Sequence, residues 1–144
     1  QSARAIIPTI ISQCCSGIEE IKLGNLNPTR DLTFVKDTCT GFLDIYKLDG
    51  FFGEVTNIGM NSEVSIGELA KMIMKIMDVD LPIVTDQVRT RTKNSEVERL
   101  VCNNEKLMNS SSWKPEYTLN SGLSETIDWF QENGRIIKSD LYHV

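Results

Sequence analysis

From Ala5 to Ser16, apolar residues recur at helical spacing, and Ile7, Ile10, Ile11 and Cys14 fall on one face. Pro8 fits this helix in its first turn, where a missing N–H does no harm, and Gly17 ends it. Ile21 to Leu23 reads as a short strand, and Gly24 to Pro28 as a turn by its Gly, Asn and Pro content. Leu32 to Val35 reads as a returning strand. A helix is predicted from Lys36 to Lys47, with Val35, Cys39, Phe42, Leu43 and Tyr46 facing inward, and Asp49-Gly50 breaks it. Gly53 to Gly59 has the composition of a strand. Ser65-Ile66-Gly67-Glu68 is a capping box. It opens the best helical stripe of the chain: Ile66, Leu69, Met72, Ile73, Ile76 and Met77. Leu81 to Val84 is a further strand, and Thr85 to Glu96 a polar, basic loop. Asn104 to Ser110 is a short helix and Trp113-Lys114-Pro115 a turn. Leu119 to Gln131 is the last long helix, with Leu123, Ile127 and Phe130 inward. Trp113 and Trp129 are both expected to pack.

Helices therefore alternate with short strands, which predicts a small α/β arrangement without repeats or low-complexity tracts. The 144 residues are enough for one domain with a core, so residues 1–144 are expected to form one. Hydrophobic residues make up 40% and charged residues 24%, an ordinary globular balance. A net charge of -5 argues against nucleic acid or an anionic membrane as partner, so any bound anion must be held by local arginines. No apolar run is long enough to span a bilayer. Gln1-Ser2-Ala3-Arg4 lacks the pattern of a secretory leader, and a cytoplasmic location is expected. Cys14, Cys15, Cys39 and Cys102 include no C-x-x-C pair, so reduced thiols are expected and a zinc site is not.

Catalytic signatures are absent from the sequence. The nine glycines form no G-x-x-G-x-x-G or G-x-G-x-x-G, and Gly50 and Gly53 are followed by Thr56 where a third glycine is needed. There is no P-loop. The one histidine, His143, lies beside the C-terminus, and no tyrosine is followed four positions later by lysine. No catalytic, cofactor-binding or metal-ligating residue is assigned. The remaining chemistry is that of anion binding.

The run from Gly24 to Asp37, GNLNPTRDLTFVKD, resembles the R-D-aromatic-x-[FY]-V-x-D segment of extended short-chain dehydrogenases acting on nucleotide sugars. The run from Arg89 to Leu100, RTRTKNSEVERL, precedes Asn103 to Leu107 and Trp113-Lys114-Pro115. It resembles the R-P-x-x-S-E-V and G-W-x-P arrangement of the same enzymes. Leu119 to Phe130 is similar to their final helix. The order and spacing of these motifs resemble the NAD-dependent epimerase/dehydratase family from Gln1 to Phe130. Within it, the opening resembles the UDP-N-acetylglucosamine 4,6-dehydratase type of the legionaminic-acid route.

The resemblance implies that a Rossmann half, carrying NAD and the catalytic tyrosine and lysine, precedes this chain. The chain itself is expected to be the C-terminal part that binds the UDP-sugar, inactive alone and without NAD of its own. The same part of a UDP-hexose 4-epimerase or decarboxylase is the alternative, and a standalone binding module a second one. Arg30 is implied to grip the diphosphate, because a planar guanidinium binds phosphate oxygens bidentately. Arg91 matches the arginine of the R-P loop, although Thr92 stands in place of the family's proline, and Arg89 is the substitute. Leu23, Ile7 and Pro8 are implied to line the base, each with core packing as the other reading. Glu96 is the candidate for the ribose hydroxyls, against a plain surface role. Apolar surface left by the missing half is expected to cause self-association.

Overall fold

The computed structural model describes residues 5–89 and 96–133. Its elements are five helices, α1 (Ile6–Cys15), α2 (Val35–Tyr46), α3 (Ile66–Ile76), α4 (Glu105–Ser110) and α5 (Leu119–Glu132). Five short strands accompany them: β1 (Ile21–Leu23), β2 (Thr29–Arg30), β3 (Val64–Ser65), β4 (Ile83–Thr85) and β5 (Arg99–Leu100). The α/β class is as expected. The chain divides into two compact units. The first takes Gln1–Pro28, Ser65–Glu98 and Leu123–Val144, the second Thr29–Val64 and Arg99–Gly122.

In the first unit, β1 and β4 run parallel, with Ile21 opposite Ile83 and Leu23 opposite Thr85. α1 packs on α3 and on β1. Its apolar stripe is buried as the spacing predicts: Ile10 and Ile11 are fully covered, and Pro8 belongs to the same core. Gln13 is the polar exception. Its side-chain amide accepts from Lys22 N at 2.8 Å and donates to Lys22 O at 3.1 Å, closing both main-chain groups of a strand residue. A buried amide matched on both sides avoids the cost of an orphaned donor or acceptor. Gly17 leaves α1 at φ 69°, a conformation that glycine adopts without strain.

α3 starts on the capping box, with Glu68 N donating to Ser65 Oγ and Ser65 N to Glu68 Oε2. Its next two N–H groups are also satisfied: Ile66 N donates to Pro28 O and Gly67 N to Leu26 O, both at 3.0 Å. The Gly24–Pro28 turn therefore finishes the helix N-terminus. The buried stripe of α3 is Ile66, Leu69, Ala70, Ile73 and Met74, whereas Met72, Ile76 and Met77 are half-buried. From α5, Leu123 and Ile127 are buried, but Trp129 is 52% exposed, against expectation. It meets Phe130 edge-on at 5.3 Å between ring centroids.

The second unit holds a three-stranded sheet in the order β3-β2-β5, with β2 and β5 parallel. Phe51, Leu107 and Trp113 form its core, with Ile45, Leu48, Ile58 and Met108 packed around them. Three sequence expectations fail here. Leu32 to Phe34 is not strand: the ladder is β2, earlier in the chain, and α2 has begun by Val35. The carboxylate of Asp31 ends the strand by accepting Met60 N at 3.0 Å and Cys102 N at 3.1 Å. Gly53 to Gly59 is not strand either, because no neighbouring strand among the described residues pairs with it.

The third failure is the face of α2. Val35, Phe42, Leu43 and Tyr46 are 63%, 65%, 58% and 76% exposed, and Cys39 is exposed with them. The inward face is Asp37, Gly41 and Ile45. Asp37 is 2% exposed, and its two oxygens accept Glu116 N at 2.9 Å and Tyr117 N at 3.1 Å. Trp113 Nε1 donates to Asp37 O at 2.9 Å. Gly41 lets the helix come close: a Cβ there would lie 3.0 Å from Ile58 Cγ2 and 3.2 Å from Trp113 Nε1. Local periodicity favoured the apolar stripe, but a carboxylate with two main-chain donors and a glycine fix the opposite side.

Candidate anion-binding site

Parallel strands present ligands at their C-terminal ends, and in the first unit β1 and β4 end together at Leu23 and Thr85. Leu23 O accepts Asp86 N at 2.7 Å, so the chain turns immediately beyond the strand pair. Asp86 then organises the turn. Its Oδ1 accepts Val88 N at 2.9 Å, its carbonyl accepts Arg89 N at 3.1 Å, and its Oδ2 lies 3.3 Å from Arg89 Nε. Arg89 is thus a half-buried arginine held in position at a strand edge. The Asp86–Arg89 spacing, an i, i+3 acid–base pair, is a signal in the residues themselves that the basic character of the loop alone does not carry.

Leu23 is 1% exposed, and Ile7 and Pro8 are also buried in the first unit. Glu96 is half-buried in this unit, and Arg91 lies outside the described residues.

Arg30 belongs to the second unit. It ends β2, half-buried, and its Nη1 donates to Thr29 O at 2.7 Å. The staple on Asp31 fixes the backbone immediately after it. Gly59 belongs to the same staple, since a Cβ on it would fall 2.3 Å from that of Cys102, and Asn104 Nδ2 donates to Gly59 O at 2.7 Å. Beside β2, Arg99 grips Glu63 bidentately, with Nε and Nη2 at 2.9 and 2.8 Å from Oε1, and Thr29 Oγ1 donates to Oε2 at 2.5 Å. These donors, Arg99 first, hold the Glu63 carboxyl below its ordinary range. Glu68 is also lowered, by the Ser65 hydroxyl and then the Ser65 backbone.

Cys14 and Cys102 are not activated as nucleophiles. Burial, and then the neighbouring Cys15, pushes Cys14 up to about 11. Burial and then Asp31 raise Cys102. A raised thiol is a poor nucleophile at neutral pH. An open depression of about 500 Å³ in the second unit, lined by Asp44, Lys47, Leu48 and residues 109–112, contains none of the predicted site residues. Among the described residues no helix is long and apolar enough to cross a membrane.

Among the described residues, β1 is followed by the Gly24–Pro28 turn and then β2, and β4 by a three-residue 3₁₀ turn, so neither of these two strand ends offers a pyrophosphate a glycine-rich helix N-terminus.

The fold defines a class: part of an extended short-chain dehydrogenase. The chain belongs to the GDP-mannose 4,6 dehydratase family, which it matches over residues 2–126. It is 27% identical to the dTDP-glucose 4,6-dehydratase of Xanthomonas campestris over 134 residues, 89% of this chain and 38% of that protein. It is 32% identical to GDP-L-fucose synthase 1 of Arabidopsis thaliana over 120 residues, 82% of this chain and 35% of that protein. Among solved structures, the dTDP-glucose 4,6-dehydratase of Bacillus anthracis in complex with NAD superposes with a TM-score of 0.78 at 29% identity, over 94% of this chain and 42% of the other. The chain thus spans about two-fifths of the length of these relatives. The relatives named carry dTDP- and GDP-sugars in their names, and none is a UDP-N-acetylglucosamine dehydratase.

Proposed function

We propose that this chain is the C-terminal, nucleotide-sugar-binding part of a 4,6-dehydratase of this family, and that the enzyme's NAD and catalytic groups reside on polypeptide outside it. The observation that carries the reading is the arginine held at the shared end of β1 and β4, in a chain that matches the family over residues 2–126. Arg91, or in its place Arg89 steered by Asp86, grips the diphosphate, and Arg30 of the second unit is a separate phosphate candidate. Leu23, Ile7 and Pro8, the base-lining candidates, back the site from within the first unit's core, and Glu96 accepts from the ribose hydroxyls. UDP-N-acetylhexosamine is the favoured ligand, on the resemblance of the chain's opening segment, and the enzyme works in the cytoplasm.

Calorimetric titration of the arginine variants tests the assignment. A charge-assisted pair contributes about 1.5–3 kcal/mol. Arg30→Ala and Arg91→Ala should each weaken binding of UDP-N-acetylglucosamine roughly 10- to 100-fold. Arg89→Ala should weaken it less. Unchanged affinity in both of the first two variants would remove the arginines from the site.

A further inference from the structure

Arg30 stands between two residues whose side chains are tied down. Asp31 N donates to Leu100 O at 2.9 Å, so the ladder between β2 and β5 runs on past Arg30. Successive side chains of an extended chain point to opposite faces. Thr29 and Asp31 therefore share one face of β2. Arg30 takes the other, beside its register partner Leu100, which is 57% exposed. On the shared face both neighbours are fixed. Asp31 Oδ1 accepts Met60 N and Oδ2 accepts Cys102 N, so the two oxygens hold backbone from two separate segments. Thr29 Oγ1 donates to Glu63, which Arg99 grips through both Nε and Nη2. An exposed ion pair of this kind adds little stability, so its consequence is geometric. The clamp fixes Thr29, and the Thr29 carbonyl is what receives Arg30 Nη1 at 2.7 Å. Asp31 fixes the main chain on the other side of Arg30.

We infer that Asp31 and Glu63 are positioning residues for Arg30, holding its main chain and its guanidinium aimed before any ligand arrives. Asp31 acts from one side through Met60 and Cys102, and Glu63 from the other through Thr29. An arginine stem has several rotatable bonds, and ordering it at the moment of binding weakens affinity. A guanidinium already held by the fold donates to phosphate oxygens without that loss. The benefit to binding rests on the reading of Arg30 as a phosphate candidate, whereas the positioning itself is a property of the unliganded chain.

The test reads the Arg30 side chain first without ligand and then with it. In the isotope-labelled chain, the heteronuclear NOE of Arg30 Nε should match that of rigid backbone amides. Asp31→Asn turns an amide NH2 towards one of the two N–H donors, and Glu63→Ala removes the clamp at an exposed position where the fold is retained. Each variant should lower the Arg30 NOE well below the backbone value. Each should also weaken binding of UDP-N-acetylglucosamine roughly 3- to 10-fold by calorimetry. Neither should weaken it further once Arg30→Ala is present. An Arg30 NOE that stays high in both variants overturns the inference, and Glu63→Ala decides alone if Asp31→Asn does not fold. An affinity loss that persists in the Arg30→Ala background overturns it as well, because the two residues then act elsewhere. If Arg30→Ala binds as tightly as the parent chain while the NOE still falls in the two variants, the positioning is supported and only the phosphate reading of Arg30 fails.

Discussion

Asp37 shows how one buried carboxylate can outweigh several apolar neighbours. It accepts two main-chain N–H groups from the segment after Trp113, and its own carbonyl accepts the indole N–H. Asp37→Ala orphans two donors, and each loss costs about 1–3 kcal/mol. Urea unfolding should therefore show a destabilisation of about 2–6 kcal/mol, and Asp37→Asn, which keeps one acceptor oxygen, a smaller one. The cysteines give a second check at this scale. Cys15 and Cys39 are exposed, whereas Cys14 and Cys102 are partly covered and have raised pKa values. Iodoacetamide near pH 8 should label Cys15 and Cys39 first, and intact mass should show two fast and two slow additions. Fast labelling of Cys14 would contradict its burial. The positions of Ile10, Ile11, Leu69 and Ile73 were legible in the sequence because each sits on a helix whose single apolar stripe faces its core. Asp37 was not legible, because nothing local reveals that an aspartate will meet donors 79 and 80 positions later.

At the scale of elements, helices were read well and strands poorly, for a physical reason. A helix closes its hydrogen bonds within itself, so spacing, caps and glycines suffice to find α1, α3 and α5. Strands of two or three residues depend on a partner elsewhere in the chain. Thr29–Arg30 is strand because Arg99–Leu100 lies beside it, and Glu54–Gly59 is not because no strand among the described residues does. The face of α2 failed for a related reason: the sequence shows an apolar stripe but not which body covers it. The Glu63–Arg99 clamp flanking β2 has a pH signature. Because the folded state lowers the Glu63 pKa, the clamp's stabilisation is fully present above the ordinary glutamate value of about 4.3 and is lost as pH falls through the lowered folded value. Urea midpoints measured from pH 5 down to pH 3 should fall with acidity, and Arg99→Ala should make that fall shallower. An unchanged slope in the variant would mean that the clamp does not form in solution.

For the whole molecule, the family was legible in the order of three motifs, and the match over residues 2–126 agrees with it. The dTDP- and GDP-sugar relatives leave the base and the sugar to experiment. The predicted site residues are divided between the two units. Leu23, Ile7, Pro8, Arg89 and Glu96 fall in the first, and Arg30 in the second. Binding by the chain alone is therefore the property on which the account turns. The direct measurement is a calorimetric panel on the unmodified chain: UMP, UDP, UDP-N-acetylglucosamine, dTDP-glucose and GDP-mannose. The account predicts binding that requires the diphosphate, absent with UMP, present with UDP and tightest with UDP-N-acetylglucosamine. Equal affinity for UMP and UDP, or no binding by any of the five, would contradict the claim that these residues form a nucleotide-sugar site.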